Sequence, residues 1–102
     1  MSRKKRVRRV KYEPMLVAQR VLNDPLYLAI TRILLEKNTA LQAGEIRREI
    51  LRQGIDITTG YISILRRLEK WYIVRPYKNP YNGKLLWTIR ESSKAVKLFP
   101  RN

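Results

Sequence analysis

Cysteine and histidine are both absent from the chain. Their absence removes disulfides, thiolate nucleophiles, ordinary zinc sites and imidazole acid–base catalysis together, because each of these needs a thiolate or a ring nitrogen. Acidic residues are scarce: the 8 carboxylates fall singly at Glu13, Asp24, Glu36, Glu45, Glu49, Asp56, Glu69 and Glu91. Only Glu45 and Glu49 share a helical face, where they read as charge partners rather than as a catalytic pair. An enzyme is therefore not expected, and neither a metal nor a cofactor is implied. No stretch approaches the roughly 18 apolar residues that a membrane-spanning helix needs. Residues Met1 to Lys11 are basic, with no apolar region or small-residue cleavage site behind them, so they do not read as a secretory signal. The expectation is a protein of the cytoplasm with no membrane partner.

What the chain has in abundance is positive charge. Lysine and arginine number 23, giving a formal net charge of +15 and a sequence pI near 10.8. Such a charge favours polyanions through counterion release. Its sign alone fits nucleic acid and anionic membrane equally, so placement must discriminate. A length of 102 residues, 44% of them hydrophobic, allows one domain with a modest core. Seven cations crowd the start, at Arg3, Lys4, Lys5, Arg6, Arg8, Arg9 and Lys11. They predict a disordered basic arm over 1–12, ahead of a folded domain over 13–99 and a tail at 100–102.

Within the folded part, Pro14 suits a first helical position, and Met15, Ala18, Val21 and Leu22 recur at helical spacing, which predicts a helix over 14–23. Asp24 then reads as an N-cap with Pro25 at the first position of the next helix, whose stripe is Leu26, Ile30, Ile33 and Leu34. Lys37 and Asn38 suit its C-terminus, and Thr39 to Leu41 run briefly extended. A further helix begins after Gln42 or Ala43, with Glu45 in its first turn, Ile46, Ile50 and Leu51 on its buried side, and Gly54 as its stop. Thr58 or Thr59 caps the next helix, which packs through Tyr61, Ile64, Leu65 and Leu68 and ends around Lys70 to Tyr72. Alternation from Ile73 to Tyr77 and from Leu85 to Ile89 predicts a two-stranded hairpin, with Asn82 and Gly83 as its turn and Pro76 acceptable on an edge strand. Ser92 or Ser93 caps a last short helix through Leu98. Trp71 and Trp87 are assigned to the core.

The order helix, extended link, helix, turn, helix, hairpin carries a resemblance. Glu45-Ile46, then Gly60-Tyr61-Ile62-Ser63-Ile64-Leu65-Arg66-Arg67-Leu68-Glu69-Lys70, then Ile73-Val74-Arg75 and Leu86-Trp87-Thr88-Ile89, resemble winged helix-turn-helix transcription factors of the PadR and MarR type. The likeness runs over residues 25 to 95. It departs at Tyr72, where those proteins commonly have Gly, and in lacking any counterpart of their ligand pockets, so no small-molecule effector is indicated. Size, basic arm and lack of cysteine are also similar to small winged-helix proteins of archaea and their viruses. The resemblance implies an α+β fold, mainly helical: a three-helix core plus a β-hairpin wing, with an extra N-terminal helix.

A helix lying in a major groove needs an apolar side anchored to its own domain and an opposite side of groups that reach bases and phosphates. The helix from 61 to 70 has both. Thr58, Thr59 and Gly60 stand where backbone amides bind phosphate, Ser63 permits close approach, and Arg66, Arg67 and Lys70 supply cations, Arg66 or Arg67 being the candidate for base contact. At the wing, Lys78 and Lys84 are phosphate candidates beside Asn79, Tyr81 and Asn82; Tyr77 and Tyr81 either stack on sugar or base or brace the turn. Arg47, Arg48 and Arg52 read either as contacts at the groove edge or as a solvated face. The basic arm adds nonspecific grip.

The expected function is that of a sequence-specific regulator of transcription, in the form of a repressor, bound to double-stranded DNA in the nucleoid. A ribonucleoprotein or ribosomal component that grips RNA, or a nonspecific chromatin protein, is the alternative. A homodimer is expected if residues 13–22 and 95–99 pair two subunits instead of folding back on their own core.

Overall fold

A computed structural model describes residues 13–57 and 60–100. The basic arm, Thr58, Thr59 and the final two residues of the tail lie outside the described residues. Four helices and a small antiparallel sheet follow in the order α1 (Pro14–Leu22), α2 (Pro25–Lys37), β1 (Leu41–Gln42), α3 (Ala43–Arg52), α4 (Tyr61–Lys70), β2 (Val74–Lys78) and β3 (Leu85–Ile89), with a 3-10 turn at Val96–Leu98.

Local chemistry explains most of the boundaries. Pro14 and Pro25 open α1 and α2, where a missing amide hydrogen costs nothing. The carboxylate of Asp24 accepts from the amides of Leu26 at 3.0 Å and Tyr27 at 3.3 Å, giving two orphan donors a partner. Asn38 closes α2 in the left-handed region at φ 51°, and Gly54 does the same after α3 at φ 80°. Gln42 precedes α3, and its amide donates to Glu45 Oε1 at 2.8 Å. The residue preceding α4 at its cap is Gly60, and no side chain among the described residues caps it. Tyr72 sits at φ 63°, a left-handed conformation that a side chain other than glycine's disfavours.

The sheet has three strands where two were expected. β3 is central, flanked by β1 and β2, with Leu41 opposite Trp87 and Gln42 opposite Leu86 on one side, and Pro76 opposite Trp87 on the other. A two-residue strand has no periodicity of its own; long-range pairing with β3 alone makes it one. Pro76 stands on an edge strand, which tolerates a missing ladder donor.

One core gathers Val17, Ala18 and Val21 of α1, the α2 stripe from Leu26 to Leu34, Ile46 and Ile50 of α3, Ile64, Leu65 and Leu68 of α4, and Ile73, Val74, Trp87 and Ile89 around the sheet. Ala95, Val96 and Phe99 close it. Residues 13–22 and 95–99 thus fold back on their own domain. Leu51, expected on the buried side of α3, is instead exposed, and Met15 and Leu22 of the α1 stripe and Leu85 at the start of β3 are exposed as well. Trp87 is buried, but Trp71 is only half-buried, its ring stacked on Tyr27 at 5.8 Å and covered on another side by Arg20. Ser93 is buried and its Oγ accepts from the Val96 amide at 3.4 Å, but the last turn is a three-residue 3-10 helix whose N-cap is Ala95, not Ser92 or Ser93. No helix among the described residues is long and apolar enough to cross a membrane.

Candidate nucleic-acid interface

Helix α4 turns Ile64, Leu65 and Leu68 inward and leaves Ile62, Ser63, Arg66, Arg67 and Lys70 exposed. The sorting follows from the helical repeat, since positions 64, 65 and 68 fall on one side and 63, 66 and 70 on the other. Tyr61, expected to be buried, is partly exposed at the edge of the inward face. Ile62 is 44% exposed among polar neighbours. Helical phase puts it one turn before Arg66, a signal the sequence contains and the reading of candidate residues omitted.

The two arginines flank this surface in different environments. On one side the Arg67 guanidinium donates to the Tyr27 hydroxyl at 3.3 Å and borders an open groove whose other walls include Asp24, Asp56, Gly60 and Ser63. Asp24 and Asp56 thus line the same groove as Gly60, while the expected phosphate seat at Thr58, Thr59 and Gly60 lies mostly outside the described residues. On the other side Arg66 lies over the Trp87 ring, 5.3 Å from its centroid, and pairs with Glu69 at 3.3 Å. Its side chain keeps 58% of its surface exposed, so the guanidinium is oriented and still reachable.

Trp87 links the helix to the hairpin. In the β2–β3 register, Lys78 stands opposite Leu85 two residues beyond the Pro76–Trp87 pair. Residues two apart on a strand share a face, so Lys78 and Leu85 continue the side of the sheet that Arg66 covers, roughly 7 Å further toward the tip. Arg66 and Lys78 therefore border one surface. Arg75 and Tyr77, with their partners Thr88 and Leu86, occupy the opposite face.

At the tip, both asparagines are used by the turn. Asn79 Oδ1 accepts from the Tyr81 amide at 2.8 Å, and Asn82 Oδ1 accepts from the Lys84 amide at 2.9 Å. Gly83, at φ 70°, donates its amide to the Asn79 carbonyl at 2.8 Å, and the Asn79 amide donates to the Lys84 carbonyl at 2.9 Å. Each asparagine oxygen thus has one bond within the turn, and its side-chain amide nitrogen can donate to an outside partner. Tyr81 does not brace this turn: the residue is 95% exposed. Lys78 is exposed at the end of β2, and Lys84 is exposed in the turn just before β3.

The third helix face differs again. Arg47 and Arg48 are exposed on α3, but Arg52 is held by Glu49 at 2.6 Å. That hydrogen bond, against some opposing desolvation, holds the Glu49 carboxyl below its ordinary range, and the same contact raises Arg52. Arg52 thus has less capacity for an external anion than its neighbours.

Two cation–aromatic contacts had no local signal in the sequence. Arg20 over Trp71 joins α1 to the end of α4, and Arg90 lies 5.4 Å from the Tyr72 ring centroid. No cluster of three or more Asp and Glu side chains able to hold a metal occurs among the described residues. Comparison of the chain with protein-family models, with curated proteins and with solved structures finds no match.

Proposed function

We propose that the chain is a winged helix-turn-helix protein that binds double-stranded DNA at particular sequences and represses transcription by occupying a promoter site. The observation that carries this reading is the meeting of α4 and the hairpin at Trp87, which sets the reachable Arg66 and the exposed Lys78 along one surface. A helix face of this kind suits the major groove, while the hairpin tip reaches the adjoining backbone or minor groove. The element order α2, β1, α3, α4, β2, β3, with β3 central, supports the winged-helix assignment. The basic arm adds phosphate contacts that carry affinity but no sequence information.

Within this reading Thr58, Thr59 and Gly60 offer backbone amides to a phosphate, and Lys70, Lys78 and Lys84 add further phosphate contacts. Arg66 is the base-reading residue and Arg67 a positioning cation tied to Tyr27.

The test is selection of bound duplexes from a random library, followed by competition with folded RNA at moderate salt. Enrichment of a defined half-site that bulk RNA fails to displace is the expected result. Equal affinity for folded RNA, or no enrichment, would overturn the reading in favour of a ribonucleoprotein or a nonspecific chromatin protein.

A further inference from the structure

Tyr81 is the most exposed aromatic residue in the described chain, at 95%, yet it stands on a well-tied support. Pro80 restricts the backbone just before it. Its own amide is held by Asn79 Oδ1, and the residues after it are fixed by Gly83 to Asn79 and Lys84 to Asn82 hydrogen bonds. An aromatic ring on a loose loop would cost ordering entropy when it met a partner. On this tip most of that ordering is already present in the free protein, and a tyrosine ring has only two side-chain torsions left to fix.

Turn architecture does not need the ring, and no described side chain buries it. Its surroundings point to the kind of partner: Lys78 is exposed at the end of β2 and Lys84 in the turn just before β3, so that cations flank the tip on both sides and can hold phosphates around whatever the ring meets. A flat apolar surface bracketed by phosphates is a nucleobase step.

We infer that Tyr81 inserts its ring at a deformable pyrimidine–purine step of duplex DNA, partly unstacking it, and so makes the hairpin a reader of DNA flexibility. This rests on the DNA-binding reading above and adds a second source of selectivity to Arg66. Pyrimidine–purine steps unstack most easily, so a wedge favours them without any hydrogen bond to a base edge. Lys78 and Lys84, by contrast, contribute equally on every sequence.

Two probes of identical base composition separate these contributions. The alternating copolymer poly(dA-dT)·poly(dA-dT) carries a TpA step every two base pairs, whereas poly(dA)·poly(dT) has none and is stiff. With the full-length chain, Tyr81→Ala is expected to weaken binding to the alternating duplex about ten-fold and to the homopolymer less than about two-fold. Tyr81→Phe is expected to bind both as the parent does, and Lys84→Ala to weaken both alike. Because the ring is exposed, the alanine variant keeps its fold, which an unchanged melting temperature verifies. Equal loss on both duplexes, no loss on either, or a Tyr81→Phe defect matching Tyr81→Ala would overturn the wedge and leave DNA binding intact. Failure of the parent to bind either duplex would instead overturn the DNA-binding reading itself.

Discussion

Arg66 and Trp87 form a cation–π pair across the junction of α4 and β3, with the guanidinium carbon 5.3 Å from the ring centroid and Glu69 3.3 Å away on the same helix. The contact orients the exposed arginine on the edge of the hairpin. A planar guanidinium held in this way loses little further freedom when it meets the paired acceptors of a guanine edge. Glu69 competes for the same donors, so the pair also sets how readily they are released.

Replacing Arg66 should therefore damage specificity more than folding. Arg66→Ala is expected to weaken a selected duplex by about 1–3 kcal/mol while lowering affinity for unselected DNA far less. Arg66→Lys should fail to restore the difference, because an ammonium neither stacks on Trp87 as a plane nor forms a fork. Titrations of both duplexes at one salt concentration measure it; full rescue by lysine would assign Arg66 to phosphate.

The basic arm makes a separate prediction. If arm, helix and hairpin together neutralise on the order of six phosphates, log affinity falls against log salt with a slope of roughly −5, and removing residues 1–12 flattens it. Binding isotherms between low and moderate salt give both slopes. An unchanged slope would remove the arm from the interface.

Tyr72 carries backbone strain that can be isolated. At φ 63° a residue with a Cβ is disfavoured, and Tyr72 also supplies a ring to Arg90. Comparing Tyr72→Gly with Tyr72→Ala cancels the lost ring, since neither has one. Glycine is expected to be the more stable by about 1 kcal/mol, the reverse of their order inside a helix. Thermal unfolding of the two variants measures the difference.

The Glu49–Arg52 contact gives a pH dependence whose sign is set by the lowered carboxyl. A carboxyl held below its ordinary value of 4.5 in the folded chain stabilises the fold above that value, and the contribution disappears as pH falls through the lower folded value. The parent should therefore melt slightly higher than Glu49→Gln at neutral pH, with the gap narrowing once pH drops below about 4.5. Because the pair is exposed, the gap is small and shrinks in high salt. Melting temperatures of both proteins across acid pH, at low and high salt, check it.

Much of the fold was legible from local patterns. Asp24-Pro25, Lys37-Asn38 and Gly54 mark helix ends because each acts through its own or its neighbours' backbone. The stripes of α2 and α4 were readable because one helical side of each is almost wholly apolar. Leu51 misled for an instructive reason: it adjoins the inward side of α3 in helical phase, but the core reaches only Ile46 and Ile50. Met15 and Leu22 fall short in the same way on α1, where Val17, Ala18 and Val21 take the buried side. The candidate site was partly legible as well. Helical phase exposes Ser63, Arg66, Arg67 and Lys70, but nothing along the chain shows that Asp24 and Asp56 share a groove with Ser63 and Arg67, or that Asn79 and Asn82 turn their oxygens into the loop.

By itself the sequence determined the large positive charge, the absence of thiol and imidazole chemistry, the succession of helices and hairpin strands, and the inward faces of α2 and α4. Those follow from composition and from periodicities of a few residues. Tertiary structure alone decided that Leu41 and Gln42 become a third strand, that Trp87 rather than Trp71 is enclosed, that Arg66 rests on Trp87, and that Tyr81 stands free at the hairpin tip. Each depends on which distant surface arrives alongside. Local pattern specifies the direction a side chain takes from its own backbone, whereas burial, pairing and freedom are set by what packing brings to meet it.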